Sequence, residues 1–258
     1  MLLIVFVTCS KDNDPVKQQP SGGKGQPSGT CVLKSATWTG LSITIDRDDQ
    51  HLPVSIRYTT ANKPVVICSI QYDADHRIVK LIQGNAYVEY AYQAGKPVMS
   101  TIFIRQSSSD AFEQRWQYYY HYDDQGRLDS TTDDTGQYDR YEYDAAGNVI
   151  KHYTKQTGQI EVLAQQYVTF DDKKNPLVEA SFDQVPMLDA SVEEHFITML
   201  KLPMISQHNV TKYVYVSSSG VISLTYTYQY NSEGYPISTR TQSDAQPGVT
   251  DVIAYDCF

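Results

Sequence analysis

Between Tyr141 and Thr154 the chain reads YEYDAAGNVIKHYT. Apolar and polar residues alternate, the alternation stops at Asp144-Ala145-Ala146-Gly147, and it then resumes. Alternation with period 2 makes a half-buried strand. An aspartate starts a turn by bonding the backbone that follows it, and a glycine supplies the positive φ of a tight loop. The stretch is therefore a β-hairpin. Tyr141 and Tyr143 share one face of its first strand, Asp144 opens the turn and Gly147 closes it.

The same unit recurs. It is found as IQYDADHRIVK at Ile70–Lys80, YAYQAGKPVMS at Tyr90–Ser100 and YHYDDQGRLDST at Tyr120–Thr131. It returns as VTFDDKKNPLVEA at Val168–Ala180, YVYVSSSGVIS at Tyr213–Ser223 and YQYNSEGYPIS at Tyr228–Ser238. Other turn signals lie between these, at Gln83-Gly84-Asn85, Ser107–Asp110, Asp133–Gly136, Gln156–Gly158 and Gln242–Gly248. They belong at the opposite end of the sheet. The expected fold is all-β: a long antiparallel meander of about 13–15 strands. At about 4.8 Å per strand it is too wide to stay flat, so a curled sheet or half-barrel is expected.

The pattern of aromatic, any residue, aromatic, Asp or Asn, two polar residues and Gly resembles the YD repeat of Rhs-type bacterial surface proteins. YTYQYNSEGYPISTRT at Tyr226–Thr241, VIAYDCF at Val252–Phe258, FDDKKNP at Phe170–Pro176 and HNVTKY at His208–Tyr213 look closer still to a family of Bacteroidota YD-repeat lipoproteins of unknown function. The resemblance covers about Cys31 to Phe258. It implies architecture and location and carries no catalytic residue. Large Rhs proteins wrap their repeats into a shell around a toxin; this chain has too few repeats for that role.

The N-terminus supports an envelope location. Leu2–Val7 is an apolar run, far below the about 20 residues of a membrane-spanning helix, and it is followed by Thr8 and Cys9. It looks like the end of a signal peptide, and the missing basic n-region leaves room for a start upstream of Met1. Thr8 before Cys9 resembles a lipoprotein signal, with residues 1–8 removed and Cys9 the lipid anchor. Ser10, Lys11, Asp12 and Asp14 resemble the export signal that sends Bacteroidota lipoproteins to the outer face of the outer membrane. Residues 9–30 then form a lipidated start and a tether rich in Gly, Ser, Pro and Gln, reaching roughly 20–25 Å as a coil. The folded domain is expected over residues 31–258.

One segment breaks the strand rhythm. PMLDASVEEHFITML, residues 186–200, carries a Ser191/Glu194 capping box and an apolar stripe of Val192, Phe196, Met199 and Leu200. A short helix is expected near 189–200, covering the concave face of the sheet or forming a lid over a ligand.

Chemistry is hard to find. There is no HExxH, G-x-S-x-G, phosphate loop or Cys-x-x-Cys. His51, His76, His121, His152, His195 and His208 share no metal-ligand spacing. The acidic pairs at Asp48-Asp49, Asp123-Asp124, Asp133-Asp134 and Asp171-Asp172 sit mostly in turns, and neighbours in a strand point to opposite faces. Asp129–Gly136 offers oxygen ligands but lacks the order of a calcium loop. No metal, no cofactor and no enzymatic activity are expected. A net charge of −9 and a pI near 5.0 argue against a phosphate-backbone partner, and no nucleic acid is expected.

The 21 tyrosines, against 7 Phe and 2 Trp, leave two uses. Trp116, Tyr118, Tyr120 and Tyr122 share one strand face, as do Tyr226, Tyr228 and Tyr230. Either row is the core of a thin sheet protein or an exposed aromatic platform for a glycan or protein. With Cys9 lipidated, Cys31, Cys68 and Cys257 remain, and Cys31 and Cys257 fall in the first and last strands. If the sheet curls far enough, those two can pair. The sequence therefore points to a cell-surface lipoprotein with a non-catalytic binding or display domain. The rivals are an envelope carrier of an apolar ligand beneath the helix and a glycan-active hydrolase. Oligomeric state is not legible.

Overall fold

The computed structural model describes residues 31–38, 41–61, 63–106, 111–175, 206–217, 220–243 and 246–257. They form sixteen strands. The first half comprises Cys31–Trp38 (β1), Leu41–Arg47 (β2), Pro53–Thr60 (β3), Val66–Tyr72 (β4), Ile78–Gln83 (β5), Ala86–Gln93 (β6), Lys96–Arg105 (β7) and Phe112–Tyr122 (β8). Leu128–Asp133 (β9), Tyr138–Tyr143 (β10), Val149–Lys155 (β11), Val162–Lys174 (β12), His208–Ser217 (β13), Gly220–Tyr230 (β14), Pro236–Ser243 (β15) and Gln246–Cys257 (β16) complete it. Each strand pairs antiparallel with its neighbours in sequence, and β16 pairs with β1. The sheet is a closed barrel, not the half-barrel expected from sequence. Closure satisfies the backbone groups that two free edges would leave unpaired. The helix expected near 189–200 lies outside the described residues.

The turns divide between two ends. At one end lie the repeat turns that follow β4, β6, β8, β10 and β14, together with the β2–β3 turn, the starts of β1 and β13, and the ends of β12 and β16. We call this the hairpin rim, and the opposite end the far rim. Two repeat units depart from expectation. The turn within Tyr213–Ser223 joins β13 to β14 and so lies at the far rim, and within Val168–Ala180 the expected turn residues Asp171–Lys174 are the last residues of β12, with 176–180 outside the described residues. The end of β12 and the start of β13 meet at the hairpin rim.

Six turns share one design. Asp48, Asp73, Asp123, Asp133, Asp144 and Asn231 each accept, through side-chain Oδ1, the N–H groups two and four residues on. The residue three positions on is left-handed: His51, His76, Gly126, Gly136, Gly147 and Gly234, with φ between 60° and 85°. Asp133, a candidate calcium ligand by sequence, thus directs its oxygens at its own turn. Its second oxygen accepts from Gln137.

The barrel's apolar clusters lie inside, and its outer face carries ion pairs alongside exposed Ile67, Tyr119 and Val252. One cluster, including Ile43, Ile45, Ile56, Ile70, Leu81, Val88, Ile102 and Ile253, fills the half made by β1–β7 and β15–β16. A second, rich in tyrosine, fills the half made by β8–β14. Tyr118 on β8 and Tyr228 on β14 pack against both. On the outer face, Lys80 and Glu89 are cross-strand partners paired at 2.9 Å, as are Lys151 and Glu142. Arg57 pairs with Asp46, and Arg140 with both Glu142 and Glu161.

Candidate functional site

The two tyrosine rows face inward. Tyr120 and Tyr226 are only 4% and 3% exposed. Trp116, Tyr118, Tyr122, Tyr228 and Tyr230 are part-buried, and all but Tyr230 pack against the interior clusters. They therefore form no exposed platform on the barrel wall. Register explains the direction: Tyr120 lies opposite Thr131 and Tyr118 opposite Asp133, both buried. Tyr120 also shares a 2.6 Å hydrogen bond with Ser100 inside the barrel.

The last tyrosine before four of the repeat turns has a distinct task. The phenols of Tyr72, Tyr92, Tyr122 and Tyr143 donate to the carbonyls of Pro53, Ile78, Pro97 and Leu128 at 2.6–2.7 Å. Tyr255 reaches Pro236 in the same way at 2.9 Å. Each acceptor lies near the start of the preceding strand, which belongs to the neighbouring hairpin at that rim. The phenols thus stitch successive hairpins together where no covalent turn does. Burial pushes the Tyr72 and Tyr92 phenols up to about 12, so they stay protonated donors. Cations cover several of these rings: Arg77 over Tyr92, Lys96 over Tyr122 and Arg127 over Tyr143.

The interior opens at the far rim. Val162, Tyr215 and Ile222 lie on β12, β13 and β14 and face the same way as the buried tyrosines. Tyr215 is the register partner of both Gln165 and Ile222, and Val162 partners the inward-facing Thr154. Yet they are 49%, 39% and 48% exposed. An inward face that water reaches is a mouth. Ile160, Val221 and Phe112 add further exposed apolar side chains at the same rim.

Beside the mouth lies a polar chain that sequence inspection missed. His152 Nε2 is 2.6 Å from Asp139 Oδ1, its Nδ1 is 3.3 Å from Gln165 Oε1, and Gln165 Oε1 accepts the Tyr167 hydroxyl at 3.1 Å. The Tyr141 ring stacks on the imidazole at 5.3 Å between centroids. A general base needs one ring nitrogen aimed at substrate. Here Asp139 and Gln165 engage the two nitrogens and hold the ring in place. No cluster of three or more metal-ligating His, Cys, Asp or Glu occurs among the described residues. The signal that finds Asp139 and His152 is register, since Asp139 opposes Thr154 and Tyr141 opposes His152.

The hairpin rim carries a second polar cluster, at the ends of the long connection. Asp171 accepts from the Asn209 backbone and side chain and from the Tyr230 hydroxyl. Burial, and then the Asp171 carboxylate itself, hold the Tyr230 phenol well above its ordinary value. Asn175 donates to the Ser206 carbonyl at 2.8 Å, and the Ser206 hydroxyl accepts the Val149 N–H at 3.1 Å. The expected anchor and export residues Cys9, Ser10, Lys11, Asp12 and Asp14 lie outside the described residues. Cys31 and Cys257 meet as register partners where β1 joins β16.

Comparison with known proteins agrees with this architecture. The RHS Repeat family model matches residues 122–159, from the end of β8 through the β11–β12 turn. No curated protein is similar in sequence. A porin-like protein from Bacteroides uniformis is similar in fold, with a TM-score of 0.52 at 13% identity over 87% of this chain and 90% of that one. Weaker similarities include a TcdB2-TccC3-Cdc42 complex, with a TM-score of 0.37 at 13% identity over 83% of this chain. The Photorhabdus luminescens Tc holotoxin pore gives 0.33 at 16% identity over 85%. This chain spans only 10% and 11% of those two toxin chains. The chain is thus an all-β barrel in which residues 122–159 are similar to an RHS repeat.

Proposed function

We propose that the protein is a cell-surface lipoprotein whose barrel is a non-catalytic binding or display domain, held in water off the outer membrane. The observation that carries the reading is its polarity. β1 begins at the hairpin rim, so the tether before Cys31 reaches the barrel there. The half-exposed, inward-facing Val162, Tyr215 and Ile222 sit at the far rim, away from the anchored side. Aromatic and aliphatic side chains at a mouth supply rigid contact area to a glycan or a protein loop. The charged outer wall supports a barrel beside the membrane and not across it, since a spanning barrel needs an apolar outer band about 25 Å tall. The acidic net charge supports a partner other than nucleic acid.

A glycan array probed with the purified protein and with its Tyr215→Ala variant tests the binding reading. Binding that the substitution weakens about tenfold or more supports it; equal binding by both places the contact elsewhere. Protease shaving of intact cells tests location, and a protein that stays protected while other surface lipoproteins are cut removes the surface from the proposal.

The same three side chains favour one second reading, an envelope carrier that takes an apolar chain through the mouth. An environment-sensitive apolar dye that brightens with the wild type and not with Ile222→Asp supports the carrier. No brightening with either rejects it.

A further inference from the structure

Every strand pair but one joins strands consecutive in the chain, so its partners are held together by their own connection. The exception is the seam between β1 and β16, whose strands are linked only through the whole barrel. Cys31 opens β1, Cys257 ends the described part of β16, and the two are direct register partners. The register continues from them without a break through Val32 and Asp256 to Leu33 and Tyr255, both buried. Directly opposed residues of an antiparallel pair have Cα atoms about 4.5–5.5 Å apart. A disulfide accepts about 4.4–6.8 Å. The third cysteine of the barrel offers no competition. Cys68 is buried on β4, its register partners are Ile56 and Gln83, and burial pushes its thiol up to about 11. A thiol held protonated is a poor nucleophile in exchange.

We propose that Cys31 and Cys257 form a disulfide that locks the barrel at its seam. Two thiols join as one S–S bond and release two protons and two electrons. An oxidised dithiol–disulfide carrier accepts them and leaves as its dithiol. The inference rests on the export reading only for that oxidant. The bond matters here because the seam closes the largest loop in the molecule, and a cross-link stabilises most where it removes the most chain freedom from the unfolded state.

The test takes the full-length protein from its own cell envelope, alkylates it on denaturation and digests it without reduction. The expected result is one peptide pair joining Cys31 to Cys257, with Cys68 alkylated. Reduction should lower the thermal midpoint of the wild type by roughly 5–15 °C and leave a Cys31→Ser/Cys257→Ser variant unmoved. Separate alkylation of Cys31 and Cys257, both in the envelope sample and after the folded protein has stood in oxidised glutathione, overturns the pairing. Separate alkylation in the envelope sample alone, with the cross-link forming in glutathione, upholds the seam pairing and counts against the exported location.

Discussion

The side-chain oxygen of Asn148 accepts the backbone N–H of His208 at 2.9 Å and lies 3.1 Å from His208 Nδ1. The relationship joins a repeat turn to the end of the long connection. In the equivalent turns the fifth position is Arg77 or Arg127, which clamps back onto Asp73 or Asp123. Asn148 keeps that clamp through Nδ2, 3.0 Å from Asp144 Oδ2, and frees its oxygen for His208. Asn148→Arg should therefore restore the ordinary turn and release the connection. The expected outcome is faster proteolytic cleavage between residues 176 and 205 with the barrel intact. Cleavage at the wild-type rate would show that the link does not hold the connection. Asn148→Ala loses all three of these contacts and should cost about 1–3 kcal/mol in urea unfolding.

Gly147 is constrained twice. Its φ is +85°, and a Cβ there would meet Gln207 Cγ at 3.0 Å. Gly158 has φ +74° and nothing within 4 Å of an added Cβ. Gly158→Ala should then cost about 1–2 kcal/mol from backbone strain alone. Gly147→Ala should cost more, because the contact with the connection must also shift. Equal losses in chemical denaturation would show that the Gln207 contact gives way freely.

The phenol stitch predicts a position-specific effect. Tyr143→Phe leaves the Leu128 carbonyl without its 2.7 Å donor in a part-buried site. A loss of about 1–2 kcal/mol is expected. Tyr119 lies on the outer face and donates only to Gln117 at 3.2 Å, so Tyr119→Phe should stay within about 0.5 kcal/mol. Urea midpoints that do not separate the two variants would remove the stitch as a stabilising device.

Local chemistry was legible in the chain, and long-range geometry was not. The hairpin units could be read because a turn is decided within five residues. Even the two without glycine keep the spacing, Asp48 to His51 and Asp73 to His76, although both histidines hide the positive φ that glycine advertises. Closure could not be read, since nothing local to Cys31 or Cys257 says whether first and last strands meet. Period 2 placed Trp116, Tyr118, Tyr120 and Tyr122 on one face without saying which face is inside. Asp139 and His152 are thirteen residues apart, and only the register of β10 on β11 makes them neighbours.

Stability should fall at both ends of the pH range. For Asp144, burial acts upward but is outweighed by hydrogen bonds from the Asn148 side chain and the Asn148 and Ala146 N–H groups, which leave its pKa lowered. Asp123 is likewise lowered, burial being outweighed by bonds from Arg127. A carboxylate lowered in the folded state contributes stability above the ordinary value near about 4, and the contribution is lost as pH falls below it. The phenols of Tyr72 and Tyr92, raised by burial to about 12, behave oppositely. Their contribution is complete below the ordinary value of about 10 and is lost as pH rises through the folded value. Thermal midpoints should be flat between about pH 5 and 9 and fall on both sides. Asp123→Asn should flatten the acid limb, and an acid limb identical to wild type would exclude Asp123 as a contributor.

The charge on the barrel wall predicts how the protein handles in solution. In a spanning barrel, a charged residue at mid-membrane on the outer face costs about 2–4 kcal/mol. Here Lys80, Glu89, Glu142, Lys151, Arg57 and Asp46 all lie on the outer face, in ion pairs spread over β2–β3, β5–β6 and β10–β11. The chain beginning after Cys9 should stay dispersed in aqueous buffer with no detergent and should not enter vesicles of neutral lipid. A near-neutral exchange such as Lys80→Gln with Glu89→Gln should change its stability by less than about 1 kcal/mol, as exposed pairs do. Sedimentation with the vesicles, or precipitation until detergent is added, would overturn a barrel that lives in water and would return the wall to the membrane.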